Sequence, residues 1–185
     1  MNDDYGLKMT QALGALRQMY ADVSKLLVDA DGSIGKGKAS VFGSTCIRGL
    51  SQSYSNPNWM PWCVYRWFAD AGGTDPGLVE GVTAWFWDGH GRIAEPHLLV
   101  GQIRYELGEG QQLKLTCHEW DLVLAYAEWV GERVPGTVLC GRCPRQKPAV
   151  SWFKVIGSPL FSINSMNDVV ALMELARAAG PQPAG

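Results

Sequence analysis

The sequence has no long apolar segment and no excess of charge of either sign. No stretch approaches the roughly 18 uncharged apolar residues that a membrane-spanning helix needs, and the acidic start at residues 1–4 is unlike a signal peptide, so we expect a soluble, cytoplasmic protein. Sixteen Lys and Arg against eighteen Asp and Glu give a net charge of −2. Because the whole surface then offers no broad positive field, any contact with nucleic acid is expected to be local.

Motifs that would point to an activity are also missing. There is no Gly-x-Ser-x-Gly nucleophile elbow, no second Cys-x-x-Cys and no His-x-x-x-His pair. The five cysteines are an odd number in a chain that is large enough to fold without disulfides. Reduced thiols or a metal site are therefore favoured over a disulfide framework, and the residues reproduce no family motif from which an activity would follow.

What the sequence does contain is enough apolar material for one core. With 185 residues, 46% of them hydrophobic, it predicts a single globular domain over residues 1–180 and a disordered tail at 181–185. Between residues 4 and 29 apolar side chains recur every three or four positions, which predicts a long N-terminal helix. They are Met9, Leu13, Leu16, Tyr20, Val23 and Leu27. Glycines after this stripe predict a flexible basic turn, and the near-heptad spacing also suits pairing with a second copy.

Alternating apolar residues broken by turn residues predict an antiparallel sheet of about five strands. The expected spans are 40–48, 61–69, 82–88, 97–107 and 150–156. A loop is expected at 138–148, a turn at 157–159 and a further short strand at 160–163. Thr116 with Glu119, and Ser165 with Asp168, are helix-start signals. We therefore expect two further helices that pack on the sheet, and an α+β fold class.

The eight tryptophans are the most informative feature of the composition. Alternation would place Trp85 and Trp87 on one face of a strand, so both faces must be covered or one must meet a ligand. Trp59 and Trp62 lie in a proline-bounded loop and are expected to be accessible. The leading hypothesis is a non-catalytic recognition or accessory module that binds a protein partner or a small ligand through these four indoles. Core packing is the competing explanation.

A second hypothesis is a metal-assisted hydrolase or nuclease. Asp88, His90, Glu95 and His97 all lie near the link between two predicted strands. Two imidazoles and two carboxylates suffice for a metal centre or a general acid and base pair. The same residue types are also common in turns, so the composition alone does not separate catalysis from turn formation.

A third hypothesis is a structural zinc site. Cys140 and Cys143 have the spacing with which two thiolates bind one zinc ion, and Cys117 is a candidate third ligand. Ordinary loop cysteines are the alternative, because four ligands are needed.

The same region carries a basic cluster. Arg142, Arg145 and Lys147 flank the two cysteines and would form a modest phosphate-binding patch if Lys36 and Lys38 joined them. A solvated loop is the alternative interpretation.

Overall fold

The computed structural model describes residues 3–41, 47–48, 61–70, 75, 77–86, 94–108, 136–143 and 150–180. The described helices are α1 (Asp3–Ser33), α2 (Met166–Ala178) and a short 3-10 helix (Leu160–Ser162). The strands are β1 (Ala39–Ser40), β2 (Ile47–Arg48), β3 (Cys63–Ala69), β4 (Leu78–Trp85), β5 (His97–Tyr105), β6 (Val138–Cys143) and β7 (Val150–Pro159). The helix predicted after Thr116 and the predicted tail at 181–185 lie outside the described residues.

All these strands belong to one antiparallel sheet. Their order is β1-β3-β4-β5-β7-β6, and β2 also pairs with β3. The α+β class and the antiparallel sheet are confirmed, although the described residues already contain more strands than the five predicted. The third and fourth predicted strands correspond to β4 and β5, which pair antiparallel with Gly81 opposite Gly101 and Val82 opposite Val100.

Three local predictions are wrong. The expected loop at 138–148 begins with strand β6, which pairs with β7. The expected turn at 157–159 is the end of β7, and the expected strand at 160–163 is the 3-10 helix at 160–162. In the first two cases the pairing of the whole strand with its neighbour overrides the local preference of glycine and proline for turns.

Helices α1 and α2 cover the same face of the sheet. The apolar core on that face joins Val23 and Leu27 of α1, Val169 and Met173 of α2, and Val100 of β5. The prediction that a helix after Ser165 packs on the sheet is confirmed, and this helix shares its face of the sheet with α1. Both helices need an apolar surface for their inward stripes, and this face of the central strands provides it.

The opposite face of the sheet is also buried. Its side chains include Tyr65 and Trp67 of β3, Trp85 of β4 and Ile103 of β5, each no more than 2% exposed. The Trp67 indole lies across β4, where a Cβ at Gly81 would come within 2.6 Å of the ring. Glycine at this position therefore makes room for an aromatic ring rather than ending the strand. The ring's N–H donates to the Thr83 hydroxyl at 3.1 Å.

The turn after α1 is packed rather than flexible. Ile34 is buried, and a Cβ on Gly35 would come within 2.4 Å of the Phe68 ring. Only glycine lets the turn approach the sheet this closely. The prediction of a flexible connector is therefore wrong, and Lys38 is brought over the sheet.

Candidate functional site: a groove beside the N-terminal helix

The candidate site is a groove between α1 and the segment that joins the sheet to α2. Its volume is about 780 Å³. Its apolar lining comes from Met19, Val23 and Leu26 on α1 and from Leu160, Phe161, Ile163 and Met166 on the other wall. Polar residues line its edges, with Gln18, Asp22, Lys25 and Asp29 on α1 and Asn164 and Ser165 opposite. An apolar floor with polar edges is the usual composition of a surface that binds another molecule.

The wall opposite α1 is held by the capping box of α2. The Asp168 carboxylate accepts the backbone N–H groups of Asn164 at 2.8 Å and of Ser165 at 2.9 Å. These two hydrogen bonds, with a third from the Ser165 hydroxyl, hold the pKa of Asp168 below its usual value. The helix start predicted from Ser165 and Asp168 is thus confirmed, and the capping box that they form fixes the backbone beside the groove.

Phe161 is the most prominent apolar side chain of this wall. It is 68% exposed although it lies between two buried or half-buried neighbours, Leu160 and Ile163. Aromatic residues, Phe among them, are enriched in the buried cores of protein interfaces. Nothing in the sequence pattern distinguished Phe161, because it was expected to lie in a strand.

Helix α1 extends beyond the groove at its N-terminal end. Every described side chain from residue 4 to residue 15 is exposed, including Tyr5 at 67%, Met9 at 47% and Leu13 at 59%. The apolar stripe predicted from Met9 to Leu27 therefore belongs to the core only in its second half, where Val23 and Leu27 are buried. The first half continues the same apolar stripe without burial.

A buried ionic cluster holds α2 on the sheet at its other end. Glu80 on β4 is 4% exposed, and its carboxylate accepts two hydrogen bonds from the Arg177 guanidinium at 2.9 Å each, one from Gln102 at 2.6 Å and one from Lys38. Burial would raise the pKa of Glu80, but these donors outweigh it and lower the pKa to about 2. The hydrogen bonds that Arg177 donates to Glu80, with smaller contributions from Glu174, raise the pKa of Arg177 against the opposing effect of burial. Lys38 is therefore half-buried in an ion pair with Glu80.

A second unusual polar atom lies on α1. The Tyr20 hydroxyl oxygen is buried without a hydrogen-bond partner, and the ring packs edge-on against Phe86 with centroids 5.1 Å apart. Burial raises the pKa of Tyr20. Tyr20 thus acts as an apolar contact that joins α1 to the sheet.

The structure places the tryptophans predicted to bind a partner in different environments. Trp85 is 1% exposed in the core, which leaves its indole no surface for a ligand. Its burial follows from the covering of both faces of β4. Trp62 is half-buried just before β3, while Trp59 and Trp87 lie outside the described residues.

The candidate hydrolytic residues are only partly described. Glu95 is exposed, and the His97 ring contacts the Glu95 backbone carbonyl, with Nδ1 2.8 Å from that oxygen. Asp88 and His90 lie outside the described residues. Among the described residues, no group of three or more His, Cys, Asp or Glu side chains is arranged to hold a metal ion.

The two candidate zinc ligands of the Cys-x-x-Cys motif lie on strand β6. The Cys140 thiol is half-buried, and its Sγ is 3.8 Å from the Gly180 carbonyl oxygen. Cys117 lies outside the described residues, as do Arg145 and Lys147 of the basic cluster, and Arg142 lies on β6. The zinc site stays a prediction.

Comparison with family models, with curated protein sequences and with solved structures finds no match to this chain. In the described part of the chain, no helix combines the length and the apolar character that a membrane span requires.

Proposed function

We propose that this protein is a non-catalytic recognition module that holds an amphipathic helix of a protein partner in the groove beside α1. The observation that carries the proposal is the groove itself, with an apolar floor, polar edges and the exposed Phe161 ring. A helix laid in such a groove contacts it through residues spaced i, i+3, i+4 and i+7.

The dimensions of the groove support a helix over a small molecule. The lining residues on α1 run from Ala15 to Asp29, about 21 Å along the helix axis at 1.5 Å per residue. A helix of about 14 residues has this length. A drug-sized ligand is usually enclosed on most of its surface, whereas this site is open along one side.

The charges at the groove edge support an amphipathic partner. Asp22, Lys25 and Asp29 alternate in sign along the α1 edge, and Gln18 donates to Asp22 at 2.9 Å. A partner helix with apolar residues on one side and mixed charges on its flanks meets both the floor and the edge. A uniformly charged peptide or a nucleic acid gains no comparable complementarity.

The proposal is tested by selecting binders from a displayed library of 16-residue helical peptides with variable apolar and charged positions. We expect enriched peptides to carry apolar residues at helical spacing and to bind Phe161→Ala at least tenfold more weakly, because an exposed anchor is removed. The matched control is Leu175→Ala, which truncates a side chain that is 53% exposed on α2 and outside the groove lining. Equal binding to both variants would overturn the groove as the binding site. If Trp62→Ala abolishes peptide binding and Phe161→Ala leaves it intact, the binding site would instead be the proline-bounded loop that contains Trp59 and Trp62.

A further inference from the structure

The projecting half of α1 needs a partner of its own. Residues 4–15 form about three turns of helix whose side chains are all exposed, and isolated helices of this length are marginal in water. Tyr5 and Leu13 are more than half exposed although they belong to the apolar side of the helix. This half is therefore the kind of amphipathic helix that the groove is proposed to accept.

We infer that the groove binds a second copy of this chain, with the α1 helices of the two copies antiparallel. This inference rests on the proposed function of the groove and names its partner. Tyr5, Ala12, Met19 and Leu26 recur every seven residues, so they lie along one flank of α1, drifting by only about 20° per step. Met19 and Leu26 line the groove, whereas Tyr5 and Ala12 lie on the projecting half.

An antiparallel register aligns these two sets. When Tyr5 of one copy lies over Leu26 of the other, Ala12 lies over Met19, and symmetry repeats both contacts. Such an interface uses the same surface on both copies, which is the arrangement of most homodimers. The large Tyr5 and Leu26 side chains would lie at the ends of the interface and the small Ala12 nearer its centre, where the helices approach most closely.

The charges beside this flank fit the same register. Asp4 of one copy would lie near Lys25 of the other, and Lys8 near Asp22. In the single chain Lys8 pairs with Asp4 at 2.6 Å, and both side chains are more than 60% exposed, so they are free to exchange partners. A parallel, in-register pair would instead place each of these charges beside its own copy. Charge complementarity therefore selects the antiparallel arrangement.

Sedimentation velocity on the full chain, from about 1 to 200 µM, tests the inference across the affinity range of weak self-association. We expect a concentration-dependent dimer that Tyr5→Glu weakens at least tenfold, because a charge replaces an apolar contact at both ends of the interface. Tyr5 lies outside the packed core, so this variant should melt like the wild type. Val28→Glu is the matched control, since Val28 is 65% exposed on a different side of α1. A chain that stays monomeric, or equal effects of the two variants, overturns the inference.

A charge exchange tests the register itself. Lys25→Glu should weaken the dimer about three- to tenfold through its two symmetric contacts with Asp4, and adding Asp4→Lys should restore it. Failure of the double variant to recover overturns the antiparallel register.

The two proposals fail separately. If the chain is monomeric but still selects helical peptides whose binding depends on Phe161, the inference of a second copy would be refuted. The proposed function of the groove would still stand. If the chain forms a dimer that Tyr5→Glu weakens, but neither the wild type nor the dissociated variant selects helical peptides, the proposed function would be refuted. Self-association would then be the only proposal that stands.

Discussion

Replacing the buried carboxylate of Glu80 should destabilise the fold strongly and in a pH-dependent way. The change Glu80→Gln keeps the size of the side chain but leaves the Arg177 guanidinium and the Lys38 ammonium without their anionic acceptor. The pKa of Glu80 falls from 4.5 to about 2 on folding. Since each tenfold change in proton affinity corresponds to about 1.4 kcal/mol, the charged form stabilises the folded state by about 3 kcal/mol. Loss of one partner of a buried ion pair typically costs about 3–5 kcal/mol, which agrees.

The sign of the pH dependence follows from the lowered pKa. Because the folded protein binds the Glu80 proton more weakly than the unfolded chain, the stabilisation is complete well above the unfolded pKa and is lost as the pH falls toward about 2. By about pH 3, roughly 2 of the 3 kcal/mol should be gone. The difference in stability between wild type and Glu80→Gln should therefore shrink from about 3 kcal/mol at pH 7 to about 1 kcal/mol at pH 3.

Urea denaturation of both proteins at the two pH values measures this difference. Glu174→Gln is the matched control, because Glu174 also accepts from Arg177, at 2.5 Å, but its side chain is 61% exposed. We expect it to change stability by less than about 1 kcal/mol at either pH. A Glu80→Gln effect below about 1 kcal/mol at pH 7, or one that is unchanged at pH 3, would refute this account of the cluster.

Three further substitutions test the packing argument, again by urea denaturation. Thr83→Val removes the acceptor of the buried Trp67 N–H and should cost about 1–3 kcal/mol, whereas an effect below about 0.5 kcal/mol would show that the indole finds another acceptor. Gly35→Ala should destabilise by about 1–3 kcal/mol because its Cβ would overlap the Phe68 ring. Gly14→Ala should instead stabilise by up to about 1 kcal/mol, since no atom lies within 4 Å of the added carbon on this exposed turn of α1, and the same sign at both glycines would contradict the packing argument.

Local sequence signals predicted the elements whose own periodicity is strong. Helix α1, strand β5 and the start of α2 at Ser165 were recognisable because spacing and capping are encoded within a few residues. Strand β4 was expected to begin four residues later than it does, at 82 rather than 78. The close approach of the Arg66 backbone oxygen and the Trp67 ring on the neighbouring strand explains why glycine is required at position 81 inside β4.

Neither the groove nor the ionic cluster at the other end of α2 could be predicted in the same way. Glu80, Lys38 and Arg177 are separated by 42 and 97 positions, and no local pattern shows that they meet. The excess of tryptophan directed attention to Trp85, yet a large aromatic side chain fills a core as readily as it binds a partner. The sequence also showed that α1 has an apolar stripe, but the stripe alone does not say where the sheet beneath it ends.

The groove and the projecting half of α1 have a common geometric cause. At 1.5 Å per residue, the 31 residues of α1 span about 46 Å. The ten residues of β7, the longest described strand, span about 33 Å, and six strands spaced about 4.8 Å apart cover about 24 Å. A helix longer than the sheet in either direction must extend beyond it. Because Arg177 of α2 is bound to Glu80 and because Val169 and Met173 are buried in the core, α2 cannot move to cover the exposed stripe without breaking these contacts. The uncovered surface is therefore a fixed feature of the fold, and a partner that binds it meets a site that is already formed.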